Sequence, residues 1–278
     1  MNTWQKMAAE LFAKPKGSLL DQHRDGQQTI HVYQNEQLRW MRFSDQAIQS
    51  AMARQQPTRL ILPYTETMAG ALLFNPTPKK IAILGMGTGS LLRYFHQQLP
   101  QCKISSVEKS QIVVDMAHRY FHLPSENQRS RIHVTDAHHF IQKKNQLFDM
   151  IFVDLHDAST IQPLLLTPDF YQSCYQALSH QGILVVNLLA ESAASFSVAF
   201  KLIRFIFNKQ ALCVTVPEYL NVIVIAFKEN NLRLNGQQLA HQAQTLQPHF
   251  LIDFDQFIHQ IIVTDEPIFS DMSLIDKK

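Results

Sequence analysis

Cysteine is scarce in this chain. Cys102, Cys174 and Cys213 are the only three in 278 residues, and they are scattered. That excludes a disulfide-stapled fold and a paired-cysteine metal site, and leaves packed thiols in a reducing compartment. Long apolar runs are also missing. The most apolar stretch, 182–207, is broken by Asn187, Glu191, Lys201 and Arg204, whereas a spanning helix needs about 20 mostly apolar residues. Residues 1–17 are polar and broken by Pro15, unlike the apolar centre of a secretory signal, so a cytoplasmic chain is expected. Neither sign of charge dominates, with 25 Lys and Arg against 23 Asp and Glu. Without a basic block, neither nucleic acid nor a membrane is an expected partner. Glycine is rare, eight in all, and there are no repeats or low-complexity tracts. The thirteen histidines include no His-Glu-x-x-His spacing, and His138 and His139, being adjacent, would point about 100° apart on a helix. No metal is therefore expected. Ser159 lacks a strand–turn–helix elbow, which argues against a hydrolase triad.

What is present is an ordinary apolar content of 46% on a chain long enough for one large domain and a small one. Residues 3–13 read as a short helix ended by Pro15. Thr29–Tyr33 and Leu38–Phe43 alternate with period two around a polar turn, which predicts a hairpin with one packed face. Such a unit is too small to stand alone and should pack on the rest. After the breaker Asn75-Pro76-Thr77-Pro78, strands and helices alternate. Strands are predicted at 80–84, 103–108, 131–135, 149–154 and 183–188, with helices at 91–99, 111–121, 167–178 and 194–207. Asp149–Asp154 is nearly continuous in apolar residues, as a parallel strand covered on both faces would be. Two last strands, 211–216 and 221–227, should pair antiparallel. The expected fold is α/β: a doubly wound, mostly parallel Rossmann-like sheet with an antiparallel edge, plus a small N-terminal β-hairpin domain. The expected division is 1–60, 61–228 and a helical C-terminal extension 229–278, with helices near 239–246 and 254–262.

Ligands of such sheets bind at the carboxyl ends of the strands. The first strand ends in Gly85-Met86-Gly87-Thr88-Gly89-Ser90, where glycines permit a sharp turn and close approach of a ligand. By itself this motif means little more than a tight turn. A second strand ends in Glu108, about 20 residues on, where a carboxylate can accept both hydroxyls of a ribose. The pair points to a nucleoside. Dinucleotide binding wants a glycine where Ser90 stands, so an AdoMet-like ligand fits better than NAD. A P-loop is excluded, because no Gly-Lys-Ser/Thr follows. The third strand leads to Asp136-Ala137. Asp136 can accept from an adenine amine, or cap the next helix, or do both.

The fourth strand ends at Asp154, followed by Leu155-His156-Asp157. Two acids beside an alkyl sulfonium suit a cationic amine, which they can hold by charge and relieve of a proton. Free carboxylates and alkyl amines lie far apart in pKa, so Asp154 is expected to orient and relay while proximity supplies much of the rate. Without the neighbouring motifs, these acids would read as a solvated loop.

Taken together, 26–227 resembles the spermidine synthase (polyamine aminopropyltransferase) family of the AdoMet-methyltransferase-like superfamily. The resemblance rests on Gln28-Thr29-Ile30-His31-Val32-Tyr33, Tyr64-Thr65-Glu66, Asn75–Lys80, the glycine turn, Glu108, Asp136-Ala137, Asp154-Leu155-His156-Asp157, Leu166–Tyr171 and Val216-Pro217-Glu218-Tyr219. It implies an enzyme that moves an aminopropyl group from decarboxylated AdoMet to a diamine such as putrescine and releases methylthioadenosine, with no tightly bound cofactor. It further implies Gln28, Gly85, Gly87, Gly89, Glu108, Asp136 and Ala137 on the nucleoside. Asp154 would be the proton acceptor, Asp157 its partner on the amine, and Tyr64, Glu66 and Tyr219 would lie on the polyamine. A homodimer is the implied assembly. The chain departs from the family at Thr88, where the family carries an Asp that binds the donor's amine, and at Ala158-Ser159 in the loop over the site. An AdoMet-dependent methyltransferase and a silent nucleoside- or polyamine-binding relative therefore stay open as alternatives.

Overall fold

The computed structural model describes residues 6–7, 9–11, 16–26, 28–44, 48–157, 160–190, 192–229, 234–262 and 269–271. Its N-terminal part is a four-stranded antiparallel meander of β1 (Ser18–Asp25), β2 (Gln28–Gln34), β3 (Leu38–Phe43) and β4 (Ile48–Ala53). The expected hairpin is β2–β3. The two flanking strands escape pattern reading, since β1 is largely polar and exposed and half of β4 is Ser or Ala. One layer of this sheet packs Leu38, Trp40, Ile48, Ala51 and Ala53 against Ile61 and Leu62. The other packs Ile30, Val32, Met41 and Met52 against Val113, Met116 and Phe121 of the large domain. Each such fully buried side chain is worth about 1.5–3 kcal/mol, and this second layer fixes the meander over one end of the main sheet.

Helix α1 (Pro63–Ala69) leads into the main sheet, with proline in its first turn, where the missing N–H costs nothing. The sheet consists of β5 (Lys80–Leu84), β6 (Lys103–Glu108), β7 (Ser130–Val134), β8 (Phe148–Val153), β11 (Leu178–Leu189), β12 (Ala211–Thr215), β13 (Asn221–Phe227) and the short β15 (Ile261–Ile262). Between β8 and β11 lies a two-residue hairpin, β9 (His156–Asp157) with β10 (Thr160–Ile161). The spatial order is β15-β12-β13-β11-β8-β5-β6-β7. Strands β5, β6, β7, β8 and β11 run parallel to one another, and β13 enters antiparallel between β11 and β12. Successive residues of β5 go to opposite cores: Ile81 and Ile83 to one, Ala82 and Leu84 to the other. That two-sided burial is why the parallel strands read as apolar runs.

The crossovers carry helices α2 (Ser90–Gln98), α3 (Gln111–Tyr120), α4 (Ala137–Ile141), α5 (Pro168–Ala177) and α6 (Ala193–Ile206). The tail brings the short β14 (Leu234–Asn235), α7 (Gly236–Phe250) and α8 (Phe254–His259). It is not wholly helical, because Ile261 pairs with Val214 and extends the sheet edge, where the sequence predicted helix to 262. The chain leaves β5 toward β6 on one side and reaches β8 on the other, which places a crevice at the carboxyl ends of β5 and β8. All three cysteines are buried. Burial pushes the Cys102 and Cys213 thiols up to about 12, as expected of packed groups rather than nucleophiles. Among the described residues, no helix is long and apolar enough to cross a membrane.

Candidate active site

The crevice is a cavity of about 400 Å³ that collects residues from both sheets. The turn after β5 forms its floor. Gly85 has φ +88° and Gly87 φ +53°, left-handed values that a side chain resists. A Cβ on Gly85 would lie 2.1 Å from the backbone oxygen of Asp154, whereas Gly87 faces open space. The first glycine therefore lets two strand ends approach, and the second leaves room for a ligand. Gly89, at φ +80° and beside Leu123, starts α2 and is not part of the lining.

Glu108 ends β6 and is held by backbone. Its carboxylate accepts from the Gly87 N–H at 3.1 Å and from the Ser110 N–H at 3.1 Å. Burial raises its pKa, and these backbone hydrogen bonds partly offset the rise. Asp136 both lines the cavity and caps α4, accepting from the His139 N–H at 2.9 Å. The two readings of this residue are thus geometrically compatible. Ala137 lines the cavity next to it, and Gln28 reaches in from β2.

Asp154, just past β8, is held by side chains. Its Oδ2 accepts from the Tyr64 hydroxyl at 3.2 Å, and its Oδ1 accepts from Asn187 Nδ2 at 2.9 Å. Burial, and then the charge of Asp154, keep the Tyr64 phenol protonated far above its ordinary range. Asp25, Glu108, Asp136 and Asp154 share the lining with one lysine, Lys109. The field of such a cavity favours a cation.

The structure thus brings Gln28, Tyr64, Gly85, Gly87, Glu108, Asp136, Ala137 and Asp154 around one hollow. Glu66 lies outside that lining, half-buried against Arg59 and Tyr94, and burial raises its pKa. Tyr219 also lies outside it, in the turn between β12 and β13 and packed on the core. Asp157 takes its backbone place in β9, while its side chain, that of His156, and residues 158–159 lie outside the described residues. Thr88 is fully buried, and its hydroxyl bonds Ser50 of β4 rather than facing the hollow. Beneath it, Arg93 donates to the carbonyls of Pro57 at 2.8 Å, Thr88 at 2.5 Å and Phe121 at 3.0 Å, and burial lowers its pKa to about 9. Sequence reasoning missed Asp25, Gln49, Ser50 and Asn187. Only Asn187 carried a signal, as a lone amide inside an apolar strand.

A doubly wound, mostly parallel sheet with a glycine turn after its first strand defines a methyltransferase-like α/β fold. Human methyltransferase-like protein 13 in complex with SAH shares it, with a TM-score of 0.59 at 20% identity over 68% of this chain and 89% of that one. Residues 61–237 match the Spermine/spermidine synthase domain, and the chain belongs to that family, a family of transferases. Among relatives, the polyamine aminopropyltransferase of Chromobacterium violaceum is 27% identical over 237 residues, covering 85% of this chain and 90% of the relative. That of Vibrio vulnificus is 30% identical over 65% of this chain and 62% of the relative. In fold, a probable spermidine synthase from Corynebacterium glutamicum superposes with a TM-score of 0.71 at 19% identity, over 84% of this chain and 88% of that one.

Proposed function

We propose that this chain transfers an aminopropyl group from decarboxylated AdoMet to a diamine such as putrescine, releasing methylthioadenosine. The observation that carries the reading is that Glu108 and Asp154 face one acid-lined cavity over a glycine turn. In this reading Glu108 accepts the ribose hydroxyls, Asp136 and the Ala137 backbone meet adenine, and Gln28 closes over the nucleoside. Gly85 and Gly87 let the donor lie against the backbone. Asp154, helped by Asp157 and Tyr64, receives the acceptor amine. The amine lone pair attacks the carbon next to the sulfonium. The carbon–sulfur bond breaks, its electrons return to sulfur, and the thioether leaves neutral. The proton lost from nitrogen passes toward Asp154 and on to solvent. Holding the two reactants together supplies much of the rate, and the acids stabilise positive charge as it moves from sulfur to nitrogen. The reading includes a cytoplasmic homodimer, which light scattering on the pure protein tests in its second part.

Methyl transfer from AdoMet is the second reading, favoured by the buried Thr88 in the glycine turn. Calorimetry with methylthioadenosine, AdoMet and decarboxylated AdoMet, together with release of methylthioadenosine from putrescine reactions, separates them. Preference for the decarboxylated donor with turnover on putrescine supports aminopropyl transfer. Preference for AdoMet supports methyl transfer, and no nucleoside binding leaves a silent relative.

A further inference from the structure

Strand β11 is apolar where it crosses the core, and Val185, Val186 and Leu188 are fully buried. In the middle of this run stands Asn187, 1% exposed. A buried amide costs up to several kcal/mol unless its polar atoms are paired. Registers on both sides of β11 supply the partners. Val186 pairs with Val153 of parallel β8, so Asn187 comes beside Asp154. On antiparallel β13, Ile223 lies opposite Asn187 and Asn221 opposite Leu189, which puts Asn221 diagonally next to Asn187 on the same face. The result is a directed chain: Asn221 Nδ2 donates to Asn187 Oδ1 at 3.0 Å, and Asn187 Nδ2 donates to Asp154 Oδ1 at 2.9 Å. Tyr64 donates to the other carboxylate oxygen.

We infer that Asn187 and Asn221 are positioning residues that fix the plane of the Asp154 carboxylate for the incoming amine. This inference rests on the aminopropyl-transfer reading only for the amine; the geometry of the carboxylate is independent of it. An amide has one donor end and one acceptor end. Asn221 holds the acceptor end of Asn187 away from Asp154, and a reversed Asn187 would set oxygen against oxygen. A carboxylate with a donor on each of its two oxygens cannot rotate freely, so its plane is set before a ligand arrives, as a preorganised site requires. The titratable groups that share the cavity with Asp154 are Tyr64, Asp25, Glu108, Lys109, Asp136 and His138. Asn221 is not part of the lining, so changing it leaves ligand contacts in place.

The test is the carboxyl titration of Asp154 in the ligand-free protein, followed by carbon-13 NMR and assigned with Asp154→Asn, in parallel with pH profiles of kcat. In Asn187→Leu, the Asp154 midpoint and the acidic limb of kcat should both move up by about one pH unit, the size of one hydrogen bond to a charged group. Turnover should fall about tenfold to a hundredfold with little change in donor KM, and Asn187→Gln should recover part of the loss. Asn221→Leu should show a smaller shift of the same sign. Asn221→Asp should shift it as far as Asn187→Leu, because a carboxylate there draws the Asn187 donor end round to itself. A lowered melting temperature with the Asp154 midpoint unmoved in Asn187→Leu would mean a core amide only and overturn the inference. So would an unmoved midpoint in both Asn221 variants, which keeps the test alive if Asn187→Leu does not fold. Because the titration needs no substrate, absence of turnover in the unaltered chain would sink the aminopropyl-transfer reading and leave this one standing.

Discussion

The two halves of the cavity are built by different means. On the side that the proposed reading gives to the nucleoside, over β5, β6 and β7, the acids are gripped by main chain: Glu108 takes the N–H groups of Gly87 and Ser110, and Asp136 takes that of His139. On the side that it gives to the amine, over β8, β11 and β13, the acid is gripped by side chains that come from far along the sequence, Tyr64 and Asn187, with Asn221 behind. Backbone donors are set by the turn and survive every side-chain exchange except one to proline. Side-chain donors can be changed one residue at a time. The nucleoside half is therefore a fixed cradle, while the amine half is the part in which relatives of one fold can diverge in acceptor and reaction.

The comparison predicts that the halves fail differently. The largest effect should come from Asp154→Asn, which is expected to lower kcat by about a hundredfold or more while methylthioadenosine affinity, read by calorimetry, stays within a few-fold. Equal loss in both would erase the division between the halves. Glu108→Gln should do the reverse, weakening methylthioadenosine by about tenfold to a hundredfold, since hydrogen bonds to a charged group are worth about 1.5–3 kcal/mol, with kcat at saturating donor much less affected. Gly85→Ala strikes where the halves meet, because its new Cβ would press on the Asp154 carbonyl at φ +88°. It should cost on the order of 1–3 kcal/mol in urea unfolding and impair affinity and turnover together.

Acidity gives a gentler probe. The Glu108 carboxyl sits above its ordinary 4.5 because burial disfavours the charge, so the folded chain binds that proton more readily than the unfolded one. Stability from this group is then present below the unfolded value and is lost as pH rises from there to the raised folded value, and Glu108→Gln should remove that slope. Methylthioadenosine affinity should run the other way, falling on acidification and starting to fall at a higher pH than a free glutamate would dictate. The smallest effect is expected for Glu66→Gln. Outside the lining, it should leave kcat and donor affinity within about threefold, and its raised carboxyl should show up only as a change in the same acid-side stability slope. A large loss of amine affinity in that variant would move Glu66 into the amine half.

The nucleoside half was legible because its determinants are local. A strand, three glycines at fixed spacing and an acid at the end of the next strand are consecutive in the chain, and hydrophobic patterning locates each of them. The doubly wound sheet was legible for the same reason, since two-sided burial writes β5 and β8 as apolar runs. Less was legible where the burial pattern was weak, as in the polar β1 and the small-residue β4. At Ile261–Ile262, a helical continuation lost to pairing with the free edge of β12.

By itself, then, the sequence determined the parallel sheet, its glycine turn, and acids at the ends of the second, third and fourth of its strands. These follow from side-chain periodicity and backbone sterics over a few residues. Only the tertiary structure decided what stands around Asp154, that Thr88 turns to Ser50 and away from the cavity, and that Glu66 and Tyr219 fall outside the lining. Each depends on strand register and on the seating of the N-terminal meander. Those are set by the packing of residues distant in sequence, and no local pattern records them.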